Sequence, residues 1–189
     1  MHLRFTVKIF DDILVWLENL LGGNSMTAPG SATGPATPVA ESDVLMAIQG
    51  AIVEPLGLPA SAAYMLLAQS SLETGAWKSS AFRATKSLFN RHKGKGAVGQ
   101  PNSDGYWTGK IYYAGPNDPD LRVYSSIDES AQDFAQWLSE GVFVSVLSAL
   151  RDGSMSELSA ALDQVGFSTQ GGYGSDVARV YADNYASRA

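Results

Sequence analysis

One carboxylate in this chain stands where a helix is predicted to end and an aromatic residue follows. The segment from Ser61 to Leu72 has the apolar spacing of a helix, and Gly75 is typical of the residue just past a helix end. Glu73 therefore falls in the last turn, where the negative end of the helix dipole and burial against Trp77 both raise the pKa of its carboxyl group. A carboxyl group with a raised pKa can act as a general acid, as in glycoside hydrolysis. A solvated side chain at a helix end is the alternative interpretation.

The chain around this carboxylate is predicted to be mainly helical, with one interruption. Ser42 can cap a first helix, which Pro55 ends. Residues 106–114 lose the helical periodicity and are typical of a strand or hairpin. Ser126 and Glu129 then match a capping box at the start of a long helix. The helices predicted after the hairpin cover residues 127–138, 143–150, 156–165 and 177–185.

Residues 1–21 are predicted to form an anchor element separate from a domain at residues 43–189. They are either a strand followed by an amphipathic helix or one continuous amphipathic helix. Residues 22–42 are rich in Gly, Pro, Ser, Thr and Ala without periodicity, which is typical of a flexible linker. An element this short does not fold stably alone. We therefore expect it to dock onto a larger assembly, such as a virion or envelope structure, or onto copies of itself.

Composition excludes several classes of function. With 189 residues the chain holds one domain of ordinary size plus an appendage, and its net charge of −6 argues against nucleic acid as a partner. Two histidines and no cysteine exclude a multi-histidine zinc site and a cysteine nucleophile, so we expect no metal and no cofactor. The apolar run near the N-terminus is too short to span a membrane, and Asp11 and Asp12 interrupt what would be the core of a secretion signal.

Four segments follow one another in an order that is similar to a known family. They are AQSSLETGAW at 68–77, SLFN at 87–90, LRVYSSIDESAQDFAQWL at 121–138 and GFSTQGGYGSDVARV at 166–180. As an ordered set they resemble the glucosaminidase family of peptidoglycan hydrolases, a branch of the lysozyme-like superfamily. The resemblance covers about residues 43–189. It implies an α+β, mainly α fold, in which a lysozyme-like helical domain carries a small β-hairpin lobe.

The resemblance also implies roles for individual residues. The Glu of the family's LETG-like motif is its catalytic acid, which corresponds to Glu73. The SLFN stretch lines the cleft beside the acid, so Phe89 and Asn90 are expected there. The Tyr of the last motif faces the sugar near the acid and corresponds to Tyr173. Phe167 stands where the family has a hydroxyl-bearing aromatic, and the usual Asp-Pro pair after it is replaced by Gln-Gly, which makes this loop more flexible.

The second acidic residue that many members carry on the hairpin has no clear counterpart. Residues 104–115 contain no Glu, and the nearest carboxylates are Asp104, Asp118 and Asp120. Asp104 is our candidate for a catalytic partner, although turn formation explains Asp118 and Asp120 better than catalysis does, and Asp104 can equally be shaping a loop. The acetamido group of the substrate is the alternative partner. A lytic transglycosylase, which needs one acid, and a non-catalytic wall-binding or virion module are the alternative functions.

Aromatic side chains are concentrated in the segments expected to form the cleft, where flat rings can stack on sugars. Packing is the alternative explanation for each ring, and Phe134 and Trp137 are assigned to the core and its edge. The candidates for substrate contact are Trp77, Phe89, Asn90, Tyr106, Trp107, Tyr112 and Tyr113. The basic run at residues 91–95 is either a solvated loop or a contact for anionic groups of a wall polymer.

These observations together predict an endo-acting hydrolase of the glycan strands of peptidoglycan. The expected target is the β-1,4 bond after N-acetylglucosamine, with Glu73 protonating the departing oxygen. Tyr173 is expected to orient the sugar or to stabilise the positive charge of the transition state. The anchor and linker favour a virion-associated protein, with the cell envelope as the alternative location.

Overall fold

The structure, a computed structural model, describes residues 38–92, 107, 110–113, 120–140, 143–168 and 171–189. Its α-helices are α1 (Glu41–Ile48), α2 (Ala60–Thr74), α3 (Ser80–Thr85), α4 (Ile127–Leu138), α5 (Val144–Asp152), α6 (Met155–Gln164) and α7 (Tyr173–Asn184). Two short strands, β1 (Ile111–Tyr112) and β2 (Leu121–Arg122), pair antiparallel, with Ile111 opposite Arg122. The predicted fold class, a helical domain with a small two-stranded lobe, is confirmed.

The start of the first helix differs from the prediction. Ser42 is not its cap, because α1 begins at Glu41 and the backbone carbonyl of Ala40 accepts the N–H groups of Asp43 and Val44. The helix then continues as a π-helical turn over Gln49–Val53 before Pro55. The anchor at residues 1–21 and the first part of the predicted linker lie outside the described residues, and α1 takes in the last two linker positions.

Helix α2 forms the centre of the core and carries Glu73 in its last turn. Nine of its 15 residues are buried, which fixes its position from several sides. The helix ends as predicted, with Gly75 in the left-handed conformation at φ 59° and its N–H donating to the carbonyl of Ser71. The carboxylate is therefore placed by a rigid element rather than by a loop.

Helix α4 begins at the predicted capping box. The Ser126 hydroxyl accepts the Glu129 N–H at 3.1 Å, and the Glu129 carboxylate accepts the N–H of Ser125 at 2.8 Å. Phe134 and Leu138 on its inner face are fully buried. The capping box thus fixes the start of α4, which packs against α1 and the π-helical turn. Among the described residues, no helix is long and apolar enough to cross a membrane.

Gly174, at the start of α7, allows that helix to touch α6 backbone to backbone. A Cβ atom at this position would lie 1.9 Å from the carbonyl oxygen of Ser159. The N–H of Gly174 also donates to the Asp163 carboxylate at 2.8 Å. Tyr173 is the adjacent residue, so this close approach of α7 to α6 fixes the position of Tyr173.

We expect Gly174→Ala to lower the free energy of unfolding by about 3 kcal/mol, because α7 has to move away from α6. Gly171→Ala is the matched control, since a Cβ atom there meets nothing within 4 Å. Urea denaturation followed by circular dichroism measures both variants. Equal stability of Gly174→Ala and wild type would show that the two helices do not pack in this way.

Candidate active site

Both carboxylate oxygens of Glu73 accept a hydrogen bond from a residue distant in sequence. The Tyr173 hydroxyl donates to Oε1 at 2.5 Å, and the Asn90 side-chain amide donates to Oε2 at 2.9 Å. The same Asn90 amide also donates to the backbone carbonyl of Glu73 at 2.6 Å. The carboxyl group is thereby held in one orientation by α7 on one side and by the loop after α3 on the other.

Burial controls the protonation of Glu73. Removal from water raises the pKa of its carboxyl group above the usual 4.5, and the hydrogen bonds from Tyr173 and Asn90 offset part of that rise. Burial and the neighbouring Glu73 carboxylate also raise the pKa of Tyr173, so its hydroxyl stays protonated and keeps donating. Glu73 therefore combines a fixed geometry with a shift toward the protonated form that a general acid requires.

The chain reverses directly after the acid through consecutive left-handed residues. Ala76 and Trp77 follow Gly75 at φ 53° and 61°, conformations that cost about 1–2 kcal/mol per residue without glycine. Local hydrogen bonds offset this strain: the Trp77 N–H donates to the Thr74 hydroxyl, and its indole N–H donates to the hydroxyl of Ser70, each at 3.0 Å. The turn folds the indole back onto α2.

Glu73 lines a cleft of about 650 Å³, a size suited to binding an oligosaccharide segment. Its other described lining residues are Phe89, Asn90, Arg91, His92, Arg122, Trp137, Glu140, Phe143, Gly166, Phe167 and Ser168. They come from the loop after α3, from β2, from α4 with its C-terminal end, and from the loops that precede α5 and α7. Apolar rings and charged groups thus share one surface beside the Glu73 carboxyl group.

Aromatic rings form a continuous wall on the α4 side of this cleft. Phe167 stacks on Tyr173 with ring centres 5.3 Å apart, and it also lies 5.5 Å from Trp137. Trp137 in turn contacts Phe143 at 3.9 Å. Phe167, although it lacks a hydroxyl, therefore supports the Tyr173 ring whose hydroxyl reaches Glu73. Trp137 is half-buried and lines the cleft, where the exposed part of its ring can contact a sugar.

Arg91 and Arg122 converge on one buried carboxylate beside this wall. Arg122 donates to both oxygens of Asp133 at 2.8 and 3.0 Å, and Arg91 donates at 3.2 Å. The Tyr124 hydroxyl donates to the same carboxylate at 2.6 Å. Asp133 is only 1% exposed, so this group of residues ties the loop after α3 and strand β2 to α4. We call Arg91, Arg122 and Asp133 the arginine cluster.

The predicted site residues divide into three groups. Glu73, Asn90, Phe89 and Tyr173 come together: three of them are joined by hydrogen bonds, and Phe89 lines the cleft while stacking on Phe134. Asp104 and Tyr106 lie outside the described residues, so their roles stay predictions. The remaining candidates, Trp77, Trp107, Tyr112 and Tyr113, are not among the described residues that line the cleft.

The expectation for Trp77 needs correcting, because the left-handed turn places this side chain in the core at 7% exposure. It therefore packs against α2, where its indole N–H donates to Ser70. Trp107 is buried as well, and it lies 4.8 Å beneath the Arg122 guanidinium. Tyr112 is half-buried on β1, whereas Tyr113 is 64% exposed.

Sequence reasoning missed several residues of the cleft, above all Trp137, Arg122 and Glu140. Trp137 was assigned to the edge of the core, and its position beside the capping-box helix gave no sign of the cleft. Arg122 lies in β2, which pairs with β1, and its backbone N–H donates to the carbonyl of Arg91. This pairing between distant segments leaves no periodic pattern in the sequence. No group of three or more metal-ligating acidic or histidine side chains occurs within the described ranges.

We expect Glu73→Gln to stabilise the fold at neutral pH relative to wild type. Because the folded-state pKa of Glu73 is raised, its contribution to stability is complete below about pH 4.5 and is lost as pH rises through the folded-state pKa. Glutamine does not ionise, and its amide can still pair with Asn90 and Tyr173. The melting temperature of the variant minus that of wild type should therefore grow between about pH 4 and about pH 7.

Calorimetry across this pH range measures the difference in melting temperature. Glu54→Gln, at an exposed position, is the control and should show no such growth. A difference that stays constant with pH would mean that Glu73 is not held in a desolvated environment.

The small β lobe on a helical domain, the cleft with an aromatic wall and the desolvated carboxyl group are features that glycoside hydrolases use to bind sugars and protonate a leaving oxygen. The glucosaminidase family model, described as mannosyl-glycoprotein endo-beta-N-acetylglucosaminidase, matches residues 55–186. The chain belongs to this family, and the family expected from the sequence is confirmed.

One solved structure supports the same assignment. The chain is similar to a peptidoglycan hydrolase mutant from Sphingomonas sp. A1, with 26% identity and a TM-score of 0.56. The match covers 77% of this chain and 94% of that chain. No curated protein sequence matches the chain.

Proposed function

We propose that the protein hydrolyses the β-1,4 bond after N-acetylglucosamine in the glycan strands of peptidoglycan. The observation that carries this proposal is Glu73, a partly buried carboxyl group with a raised pKa, held by Tyr173 and Asn90 at the wall of a saccharide-sized cleft. The family of the chain and the peptidoglycan hydrolase to which it is similar support the choice of substrate.

Glu73 acts as the general acid and protonates the departing glycosidic oxygen. Tyr173 keeps the acid in position, and its aromatic neighbours face the oxocarbenium-like charge that develops on the sugar ring. The second catalytic group is either a carboxylate that activates water or the acetamido group of the substrate. Among the described residues that line the cleft, Glu140 is the other carboxylate besides Glu73.

The stereochemistry of the product distinguishes these two routes. Attack by the acetamido oxygen followed by water retains the anomeric configuration, whereas direct attack of an activated water inverts it. Nuclear magnetic resonance of freshly released sugars reports the configuration before mutarotation. The same assay with Glu140→Gln shows whether that carboxylate takes part.

The function itself is tested by mass spectrometry of borohydride-reduced products from purified peptidoglycan. Reduced N-acetylglucosamine ends are expected. Anhydro-muramic ends would instead identify a lytic transglycosylase, and the absence of any product would point to a wall-binding module.

We further propose that residues 1–21 attach the enzyme to a virion or to an assembly in the cell envelope. The support is the amphipathic sequence of this segment and the Gly-, Pro- and Ser-rich sequence that follows it. Deletion of residues 1–24 should abolish incorporation into particles, or self-association, while leaving glycan cleavage unchanged. Unchanged incorporation and oligomeric state would contradict this assignment.

A further inference from the structure

The arginine cluster carries more positive charge than its internal partner neutralises. Two guanidinium groups face one carboxylate, so these three residues together have a net charge of +1. Both arginines line the cleft, with side chains 10% and 13% exposed, whereas Asp133 is 1% exposed. The surplus charge is therefore accessible from the cleft, and the compensating carboxylate is not.

We propose that Arg91 and Arg122 bind a carboxylate of the substrate, which gives the enzyme a preference for glycan strands with charged muramic units over neutral ones. This inference rests on the proposed function and adds a determinant of specificity to it. The relevant carboxylates belong either to the lactyl group of a muramic unit or to the peptide stem attached to it. The shared chemistry is a carboxylate beside the sugar that occupies the cleft.

Arg91 is the member of the arginine cluster whose guanidinium group can still donate N–H groups to a ligand. Asp133 is already satisfied by Arg122, which reaches both of its oxygens, and by the Tyr124 hydroxyl. Arg91 adds one bond through Nε, and among the described residues its terminal nitrogens donate to no acceptor. A guanidinium group has five N–H donors, and a planar carboxylate can accept two of them side by side.

Trp137 holds Arg91 in place for such a contact. The guanidinium carbon lies 4.0 Å from the centre of the indole ring. Stacking on an aromatic face leaves the donors at the edge of the guanidinium group available and limits its freedom before a ligand arrives. Trp137 also lines the cleft, so a sugar bound against the exposed part of its ring would carry its substituents close to Arg91.

The neighbouring titratable groups do not cancel this preference. Burial and the charge of Arg91 lower the pKa of His92, so His92 is largely neutral near pH 7. Burial lowers the pKa of Arg91, the Asp133 charge offsets part of this and the Arg122 charge adds to it, and the guanidinium group stays protonated. The Glu140 carboxylate also lines the cleft, but it lies two residues after α4 and is exposed, so water and salt screen its charge.

The test measures binding of defined saccharides to full-length Glu73→Gln, which does not consume them. One pair of ligands is a stem-free N-acetylglucosamine–N-acetylmuramic tetrasaccharide with its lactyl carboxylates free or converted to carboxamides. A second pair carries peptide stems with free or amidated carboxylates. Calorimetry gives the dissociation constants at low and at high salt.

We expect the charged member of at least one pair to bind about tenfold more tightly than its amide, with a smaller ratio at high salt. The ligand pair that shows the preference identifies whether the protein binds the lactyl carboxylate or a carboxylate of the peptide stem. Adding Arg91→Gln should bring the ratio close to one, and Arg91→Lys should keep part of it. Arg122 and Tyr124 still satisfy Asp133 in both variants, so the fold is retained. Arg151→Gln, an exposed arginine on α5, is the control and should keep the full ratio.

Equal binding of charged and amidated ligands in both pairs would overturn the inference without any variant being needed. A ratio that survives Arg91→Gln would equally remove Arg91 from this role. These outcomes are distinct from failure of the proposed function. In that case wild type would release no products from peptidoglycan, whereas here it would cleave peptidoglycan and ignore the carboxylate.

Discussion

Replacing Glu73 by glutamine is expected to lower kcat for glycan cleavage by about 10³-fold and to leave KM nearly unchanged. A positioned general acid contributes about 10²–10⁴ to the rate, and an amide cannot supply its proton to the leaving oxygen. The variant keeps the shape of the side chain and the neighbours Tyr173 and Asn90 that hold it. Binding should therefore survive while the chemical step is lost.

Reducing ends released from purified peptidoglycan at saturating substrate give kcat for this variant. Glu54→Gln, an exposed position on the turn after the π-helical segment, serves as the matched control and should retain wild-type rates. A Glu73→Gln protein that cleaves at more than about a tenth of the wild-type rate would mean that another group protonates the leaving oxygen.

Removing the Tyr173 hydroxyl is expected to lower kcat by about 10²-fold without unfolding the protein. Tyr173→Phe keeps the ring that stacks on Phe167 at 5.3 Å and loses only the donor 2.5 Å from Glu73. The acid would then be free to leave its catalytic orientation. Tyr181→Phe on the same helix is the control, because Tyr181 lies away from the residues that line the cleft.

The pH profile of this variant separates a positioning role from a merely structural one. The hydrogen bond from Tyr173 lowers the pKa of Glu73, so its loss should raise that pKa further. A general acid works in its protonated form, and the alkaline limb of kcat/KM should therefore move to higher pH in Tyr173→Phe. A lower rate with an unmoved alkaline limb would indicate that Tyr173 acts on the sugar instead of on Glu73.

The placement of Glu73 was predictable because it depends on local rules. Apolar spacing over Ser61–Leu72 and a glycine at the helix end predict the turn that carries the acid, and the structure has both. The partnership with Tyr173 spans 100 residues, and only the family resemblance suggested it. The side chain of Trp77 was misplaced because sequence spacing gives no sign of left-handed backbone at two non-glycine residues.

The arginine cluster marks the limit of such reasoning. Arg91 and Asp133 are 42 residues apart, and each lies in a stretch with an adequate local explanation: a basic loop for one and the polar side of an amphipathic helix for the other. Their pairing is decided by how the β lobe packs against α4. Charge alone left a solvated loop or an anionic contact open for residues 91–95, whereas the buried partner that organises the arginines became visible only in the fold.

The burial of Asp133 has a consequence for changing the substrate range of this enzyme. Its carboxylate depends on donors from two separate segments, and removing both arginines would leave a negative charge in the protein interior at a cost of about 3–5 kcal/mol. Directed evolution toward cleavage of neutral glycans should therefore either substitute Arg91 alone or substitute Arg122 and Asp133 together. Libraries that vary one position at a time would miss the double substitution of Arg122 and Asp133, because its single-substitution intermediates would be discarded as unfolded protein.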